Sequence, residues 1–379
     1  MNTTKYLIVG AGMTGDMAAK GIREHDAEGS ITMVGADPNP PYKRPLLTKG
    51  LWQGAPEEKV WRDSAEGVEL VTGRRIVSLD LAAGTATDDA GEEYSWEKLL
   101  LATGARPRQI PGAEGVVWFR TLDDYRQLRQ VAGEGAHVAV IGGGFIGSEL
   151  AAGLVGNGCR VTMLFPEPGI GHRLFPLDLS ASVTDYYREK GVEVLAGEMV
   201  SSASGDRVET ESGQAIEADA VVAGLGVVPD TELAEAAGLE VEDGIVVDQY
   251  GRVPGHENVF AAGDVARFPV SALGTSLRIE HEDHANSHGK LVGANMAGAD
   301  TPYEHLPFFY SDLFDLGYEA VGIVDSRLEA VEDWQEPYRK GVVTYVEDGR
   351  PRGVLLWNVW DKLDAARDLL RAGEGALAG

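Results

Sequence analysis

Two glycine-rich turns, each set between a strand pattern and a helix pattern, constrain this fold more than any other feature of the sequence. The first lies in YLIVGAGMTGDMAAKGI and the second in VAVIGGGFIGSELAAGL. Their glycines are Gly10, Gly12, Gly15, Gly142, Gly144 and Gly147. A G-x-G-x-x-G turn allows a tight bend, close approach of a pyrophosphate to the backbone and close helix–strand packing, and the helix N-terminus faces the anion. The sequence therefore predicts two dinucleotide-binding modules in one chain.

Strand and helix patterns alternate along most of the chain, which favours parallel sheets with crossover helices. Strand patterns include KYLIVGAG, SITMVGAD, KLLLATGARP, HVAVIGGG and RVTMLFPE, and EDHANSHGKLVGANMAG predicts a long helix. From Tyr303 onward the pattern becomes that of an antiparallel sheet with helices, in which Asp348-Gly349 predicts a two-residue hairpin turn. We expect an α/β chain with two Rossmann-like dinucleotide-binding domains and a C-terminal α+β domain, in which Trp357 and Trp360 belong to the core.

The amino-acid composition restricts the classes of partner that the protein is expected to bind. The 379 residues include 60 acidic and 33 basic ones, a formal net charge of −27, which disfavours nucleic acid and anionic lipid. No stretch approaches the roughly 20 apolar residues of a membrane span. The strand pattern begins at Tyr6 and leaves no room for a signal peptide, so we expect a cytoplasmic protein. The only cysteine, Cys159, rules out a C-x-x-C pair, and its apolar surroundings predict a core residue.

Acidic residues after the two modules' second strands are candidates for ribose binding. In the second module Glu167 follows the strand and is expected to bind the ribose diol, which favours NADH over NADPH because a 2′-phosphate would be repelled. The alternative is a solvated loop acid, and Arg160 and Arg173 flank the region. In the first module Asp37 is either the ribose ligand or a turn residue before Pro38.

Further strand ends are expected to line the cofactors. Gly263-Asp264 follows a buried strand, where the aspartate would hold a ribityl hydroxyl. The other strand-end candidates are Ala102, Thr103 and Gly104 in ATGARP, Gly226 in EADAVVAGLGVVPD, and Ile146 in the second glycine turn.

Together with PYKRPLLTKGLW (41–52), IEHEDHANSHGKLVGANMAGA (279–299) and the C-terminal strings, these motifs resemble the two-dinucleotide-binding flavoproteins. The resemblance covers nearly the whole chain and is to the apoptosis-inducing factor branch, beside the ferredoxin, rubredoxin and putidaredoxin reductases. It implies an FAD-binding domain at 1–118 and 244–302, an NAD(H)-binding domain at 119–243 and a C-terminal domain at 303–379. The mitochondrial protein's long insertion between Glu329 and Tyr338 and its basic surface are missing, so a DNA-degrading role is not expected.

The same resemblance implies roles for individual residues. Lys49 matches the cation near flavin N5 and Glu149 its ionic partner. Phe145, four positions before Glu149, shares its helix face and would cover the isoalloxazine until nicotinamide displaces it. The other implied cofactor contacts are Arg44 at an FAD phosphate or the flavin edge, Glu280 and His281 at the flavin and nicotinamide, and Tyr310 over the cofactor. His281, His284 and His288 lie in this flavoprotein motif, so no metal site is predicted.

Three functions remain open from the sequence. The first is an FAD-dependent NADH oxidoreductase that passes electrons to a quinone, a small redox protein or oxygen. The second is a ferredoxin or rubredoxin reductase that serves an oxygenase. The third, implied by the branch it resembles, is an NADH-sensing protein that forms a long-lived charge-transfer complex and dimerises on reduction. All three require FAD and NADH, with NADPH less favoured.

Overall fold

The computed structural model describes residues 2–378, which form seven α-helices and 26 strands. The α-helices are α1 (Met13–His25), α2 (Leu122–Val131), α3 (Phe145–Gly156), α4 (Leu177–Glu189), α5 (Glu232–Ala236), α6 (Glu282–Met296) and α7 (Leu363–Ala372).

The strands run in chain order from the N-terminus. They are β1 (Asn2–Val9), β2 (Ile31–Gly35), β3 (Val68–Thr72), β4 (Ile76–Asp80), β5 (Thr85–Asp88), β6 (Glu93–Leu101), β7 (Ala105–Pro107), β8 (Val117–Trp118), β9 (His137–Ile141), β10 (Arg160–Phe165), β11 (Glu193–Ala196), β12 (Val200–Ala203), β13 (Arg207–Thr210), β14 (Ala215–Glu217), β15 (Ala220–Ala223), β16 (Val227–Pro229), β17 (Ile245–Val246), β18 (Arg252–Val253), β19 (His256–Ala261), β20 (Ala266–Val270), β21 (Thr275–Leu277), β22 (Phe308–Leu313), β23 (Leu316–Gly322), β24 (Glu329–Glu336), β25 (Lys340–Glu347) and β26 (Arg350–Trp357).

The chain divides into two compact units, each assembled from separate segments. The first unit comprises the chain up to Lys43, Glu58–Arg106 and Val228–Pro307; the second comprises Arg44–Glu57, Pro107–Val227 and the chain from Phe308. The finer division into three domains at the bounds given above stays a prediction.

The first unit is built on a sheet in the order β18-β19-β6-β1-β2-β3, in which β5 also pairs with β6 and β4 pairs with β5. Its β19, β6, β1, β2 and β3 run parallel. Helices α1 and α6 pack together through glycines, since a Cβ at Gly21 would collide with the carbonyl of Lys290 and one at Gly293 with that of Ala18. The parallel sheet followed by close helix packing is the predicted Rossmann-like arrangement.

The second unit holds a parallel sheet in the order β11-β10-β9-β15-β8 and an antiparallel one in the order β22-β23-β26-β25-β24. The α/β class with a sheet-rich C-terminal part is therefore confirmed. Asp348 and Gly349 join β25 to β26 with φ of 51° and 74°, the left-handed pair that a type I′ hairpin requires, so that prediction is also confirmed.

Two predicted core residues have different environments. Trp357 is completely buried, whereas Trp360 is 52% exposed. The prediction for Trp360 was wrong because β26 ends at Trp357, and strand alternation no longer directs side chains beyond that point. Cys159 is buried as predicted, and burial raises the pKa of its thiol. None of the described helices has the length and apolar character needed to cross a bilayer.

Candidate functional site

The first glycine turn is closely packed at Gly10 and Gly15 and open at Gly12, where helix α1 starts. Gly10 has a φ of 117°, and a Cβ there would collide with the carbonyl of Ala102; a Cβ at Gly15 would collide with the carbonyl of Gly10. Gly12 precedes α1 with no side chain capping the helix, and a Cβ there would meet nothing within 4 Å. The first backbone N–H groups of α1 are therefore left for an anion.

The second glycine turn repeats this geometry in the second unit. Gly142 also has a φ of 117°, and a Cβ there would collide with the carbonyl of Gly224. A Cβ at Gly147 would collide with the carbonyl of Gly142, whereas one at Gly144 would meet nothing within 4 Å. Gly144 precedes α3, again with no side-chain cap. Each unit thus fits one pyrophosphate.

Strand ends of the first unit surround its glycine turn. Thr103 Oγ1 donates to the carbonyl of Asp230 at 2.7 Å, and Gly104 follows with a φ of 72°. Gly263 has a φ of 74°, and a Cβ there would collide with the side chain of Thr14 in α1. Asp264 lies in the 3-10 turn that begins at Gly263. The predicted residues that follow β6 and β19 therefore lie at the same edge of this sheet, close to the start of α1.

Both carboxylate oxygens of Asp37 are engaged in a local turn. Oδ1 accepts from the backbone N–H and from the side-chain amide of Asn39, both at 2.9 Å, and Oδ2 accepts from the Tyr42 hydroxyl at 2.8 Å. These contacts favour the turn interpretation of Asp37. Its role at the ribose stays a prediction.

His281 and Glu280 lie where α6 begins. His281 is the residue before the first turn of α6, and burial lowers the pKa of its imidazole to about 4, although Asp264 and Asp283 oppose that shift. The Glu280 carboxylate forms an ion pair with the Arg278 guanidinium. His281 is therefore a neutral hydrogen-bonding group at neutral pH.

Two further histidines of α6 are completely buried. His284 Nδ1 lies 3.2 Å from the Tyr303 hydroxyl, and His288 Nδ1 accepts from the backbone N–H of Gly263 at 3.3 Å. Burial holds the pKa of His284 well below its ordinary value and lowers that of His288 to about 3. Across residues 2–378 no group of three or more His, Cys, Asp or Glu side chains is arranged to hold a metal ion.

In the second unit Lys49 and Glu149 form a nearly buried ion pair. Lys49 Nζ lies 2.6 Å from Glu149 Oε1, and their side chains are 13% and 6% exposed. Lys49 follows a 3-10 turn, Arg44–Leu47, and Glu149 lies in α3 just after the second glycine turn. The pairing predicted from the resemblance is therefore present in the geometry of this unit.

Two hydroxyl groups complete the shell of Glu149, and the sequence analysis missed both. Thr48 Oγ1 donates to Glu149 Oε2 at 2.5 Å, and Ser311 Oγ donates to Oε1 at 2.6 Å. Ser311 is only 1% exposed. A signal for Ser311 exists in FFYSDL, because alternation along β22 places it on the same buried face as Phe309.

Phe145 lies among aromatic rings. Its ring centroid is 5.4 Å from that of Phe309, nearly edge-on, and 6.4 Å from that of Tyr318. Because Phe145 and Glu149 both contact side chains of β22, the predicted shared helix face is present.

Tyr310 contacts the Lys49 ammonium group, and Arg44 begins the 3-10 turn that precedes Lys49. Lys49 Nζ lies 4.8 Å from the centre of the Tyr310 ring, within cation–π distance. Arg44 Nη1 donates to the carbonyl of Arg120 at 2.9 Å. Tyr310 therefore contacts the charged group itself.

Glu167 follows β10 and is bound by an exposed arginine. Arg173 Nη2 lies 2.7 Å from Glu167 Oε1, and the arginine side chain is 83% exposed. Ile146, in the first turn of α3, lies against Gly224, and Gly226 has a φ of 78° with open space at its Cβ position. The segment around Gly226 can thus approach a ligand closely.

The comparisons with known proteins agree with this arrangement. Residues 4–289 match the family described as pyridine nucleotide-disulphide oxidoreductase. Residues 292–337 and 331–372 match the family described as apoptosis-inducing factor, mitochondrion-associated, C-term.

Individual relatives match over nearly the whole chain. Apoptosis-inducing factor 1, mitochondrial, of Dictyostelium discoideum is 32% identical over 97% of this chain and 78% of its own length. The anthranilate 1,2-dioxygenase system ferredoxin–NAD(+) reductase component of Burkholderia cepacia is 34% identical over 98% of this chain and 95% of its own. The solved covalent putidaredoxin reductase–putidaredoxin complex matches with a TM-score of 0.90 and 27% identity, over 98% of this chain and 94% of that chain.

Two glycine turns with open helix starts, a single cysteine and these matches lead to one classification. The chain belongs to the pyridine nucleotide-disulphide oxidoreductase family, as an FAD-dependent NADH oxidoreductase of the apoptosis-inducing-factor-like type that has no redox-active disulfide.

Proposed function

We propose that this oxidoreductase delivers the electrons of NADH to a small one-electron redox protein of the ferredoxin or rubredoxin kind. The observation that carries the step of reduction by NADH is the Lys49–Glu149 pair, a nearly buried charge pair beside the second glycine turn. An internal dithiol relay is excluded because the chain has one cysteine. A ferredoxin–NAD(+) reductase component and a putidaredoxin reductase are among its relatives, which supports a separate protein acceptor.

Each glycine turn would hold one cofactor at its pyrophosphate. The turn at Gly10–Gly15 would bind FAD, with Asp264 at the ribityl chain, and the turn at Gly142–Gly147 would bind NADH, with Glu167 at the ribose. When bound, FAD supplies the chemistry that accepts a hydride and releases electrons singly. The protein's own contribution is orientation, charge and exclusion of water.

Lys49 would supply positive charge where negative charge develops on reduction. Glu149 fixes the ammonium group by a 2.6 Å ion pair and, being itself satisfied by hydroxyl groups, does so without leaving a buried acceptor unpaired. Phe145 would exclude water from the reacting face until nicotinamide takes its place. His281, neutral at pH 7, would contribute a hydrogen bond without a competing charge.

A second candidate function is a sensor of NADH that dimerises when it is reduced. The match to a mitochondrial apoptosis-inducing factor over 97% of this chain favours it. Such a protein would be reduced by NADH but would pass electrons slowly to every acceptor. For either function we propose a cytoplasmic location, with which a single cysteine is compatible.

An acceptor panel separates these functions. The yellow holoprotein is mixed with NADH and then with a ferredoxin, a rubredoxin, a quinone or oxygen, and light scattering is recorded before and after reduction. Turnover with ferredoxin or rubredoxin at least about tenfold above the other acceptors supports the proposal. Comparable or faster turnover with a quinone contradicts it. Slow turnover with all four acceptors and a doubled mass after NADH supports the sensor.

Salt dependence gives an independent measurement. At a net charge of −27, long-range repulsion of an acidic acceptor should be screened by added salt. The second-order rate constant with an acidic ferredoxin is therefore expected to rise as ionic strength increases from low values. A steep fall would instead indicate a local basic docking surface.

A further inference from the structure

We infer that Ser311 and Thr48 are positioning residues that set how much of the Lys49 charge is available to the cofactor, by sharing the Glu149 carboxylate with it. The inference rests on the proposed function of Lys49 and adds residues to which the sequence motifs assign no role. The inference follows from which of the two Glu149 carboxylate oxygens accepts each hydrogen bond.

The three donors divide the carboxylate unequally. Lys49 Nζ and Ser311 Oγ both lie 2.6 Å from Oε1, whereas Thr48 Oγ1 donates to Oε2, at 2.5 Å. The hydroxyl of Ser311 therefore competes with the ammonium group for one oxygen. Because hydrogen bonds to a carboxylate partly compensate its charge, the hydroxyl groups weaken the hold of Glu149 on Lys49.

The geometry that brings Ser311 to this oxygen is a register match between a helix and a strand. Phe145 and Glu149 are one helical turn apart in α3, a rise of about 6 Å. Phe309 and Ser311 are two residues apart on one face of β22, about 6.7 Å. Phe145 contacts Phe309, and Glu149 contacts Ser311. One register of α3 against β22 therefore produces both the aromatic contact and the hydroxyl contact.

The buried environment of the Glu149 carboxylate increases the effect of the Thr48 and Ser311 hydroxyl groups on its charge. Tyr187 and Tyr318 are buried nearby, and burial together with the negative charge of Glu149 raises the pKa of both phenols well above the ordinary value. With the carboxylate 6% exposed, water has little access to replace a deleted hydroxyl. The ammonium group also lies 4.8 Å from the centre of the Tyr310 ring, which is on the opposite face of β22, the edge strand of its sheet.

Removing the Ser311 hydroxyl should therefore tighten the ion pair and make the potential at the cofactor more negative. In Ser311→Ala we expect reduction by NADH to slow by about tenfold, the size of one charge-assisted hydrogen bond, and the flavin midpoint potential to become more negative. Thr48→Val should act in the same direction. Ser311→Thr keeps the hydroxyl and should restore most of the rate.

The test measures stopped-flow reduction by NADH, the midpoint potential by dye titration, and the FAD content of each purified variant. Asp312→Asn is the matched control, since Asp312 is the next residue of β22 and is exposed on the other face. Equal FAD content with a more negative potential in Ser311→Ala, and wild-type values in Asp312→Asn, is the expected result. An unchanged potential and rate in Ser311→Ala would overturn the inference.

A double variant tests whether Ser311 acts through Glu149. In a Glu149→Gln background the carboxylate charge is gone, so adding Ser311→Ala should change the rate by less than about twofold. An undiminished tenfold effect there would show a separate structural role and contradict the inference. Failure of the proposed function is distinguishable, because it appears in the acceptor panel with the wild-type protein, whereas the Ser311 variants are compared by reduction with NADH and by midpoint potential.

Discussion

The imidazole rings of His284 and His288 stack with their centroids 4.7 Å apart, and neither side chain is exposed to solvent. Each uses Nδ1 in a hydrogen bond, whereas the Nε2 atoms are buried without a partner. Two adjacent imidazoles of this kind cannot both carry protons at low cost. The pair therefore couples the stability of the first unit to pH.

Acid should destabilise the protein through these histidines. Their folded-state pKa values lie below the ordinary value of about 6.5, so between pH 6.5 and the folded-state value the unfolded chain binds more protons. The stabilisation is complete above pH 6.5 and is lost as the pH falls, by about 1.4 kcal/mol per pH unit for each histidine. Urea unfolding of the FAD-saturated protein between pH 7.5 and 5 measures this slope.

The variant His288→Asn isolates the contribution of one ring. Its absolute stability will be lower, but its dependence on pH between 6.5 and 5 should be shallower than that of the wild type by about 1.4 kcal/mol per unit. His25→Gln serves as the control, because His25 is exposed. Parallel slopes in wild type and His288→Asn would contradict the assignment.

Replacing Lys49 should slow hydride transfer without releasing FAD. In Lys49→Met the positive charge beside Glu149 is lost, and we expect NADH to reduce the flavin about ten- to a hundredfold more slowly. Thr48 and Ser311 still satisfy the carboxylate, so the fold should be retained. Stopped-flow absorbance gives the rate, and Lys43→Met, at an exposed position, should behave as wild type.

Two glycines of the second turn should respond to alanine in opposite ways. A Cβ at Gly144 meets open space at a φ of −88°, so Gly144→Ala should leave the melting temperature nearly unchanged. The same methyl group would obstruct the close approach of a pyrophosphate, and the NADH dissociation constant should rise at least about tenfold. Calorimetric titration measures this binding, and an unaltered constant would place the cofactor elsewhere.

Gly147→Ala is the companion variant. Its Cβ would collide with the carbonyl of Gly142, so the turn must shift and the melting temperature should fall. Equal stability of the two variants would mean that the turn is not packed as described.

Glu167 and Arg173 should together decide between NADH and NADPH. In Glu167→Gln the repulsion of a 2′-phosphate is removed and Arg173 is released from its ion pair. The ratio of kcat/KM for NADPH to that for NADH should then rise about tenfold. Adding Arg173→Ala should cancel most of that gain. A selectivity that does not respond to Glu167→Gln would support the interpretation of Glu167 as a solvated loop acid.

Local patterns predicted well the features that local rules determine. Both glycine turns, helix α6 and the Asp348-Gly349 hairpin follow from spacing and from backbone preferences that act within a few residues. The environment of Trp360 was mispredicted because it depends on where β26 ends.

The hydroxyl groups around Glu149 could not be found in the same way. Thr48 and Ser311 are 101 and 162 positions away from it in the chain. Alternation along β22 places Ser311 on the buried face, but no local pattern specifies which side chain its hydroxyl contacts. The Lys49–Glu149 pair was predicted only through resemblance to a family. The contacts of Asp37 likewise depend on a tyrosine hydroxyl whose direction the sequence does not specify.

The glycine-mediated packing of α1 on α6 has a consequence for biosynthesis. Helix α1 ends at His25, but the helix that covers it begins at Glu282. While the chain is being made, the apolar and glycine-lined side of α1 stays uncovered until most of the sequence has left the ribosome, and closing so long a loop is slow. The parallel sheet of β8, β9, β10, β11 and β15 lies within one continuous segment, Pro107–Val227, and can assemble first. A nascent chain halted before Glu282 would therefore have its second glycine turn in a formed sheet, whereas the helix that follows its first glycine turn would still lack α6 to pack against.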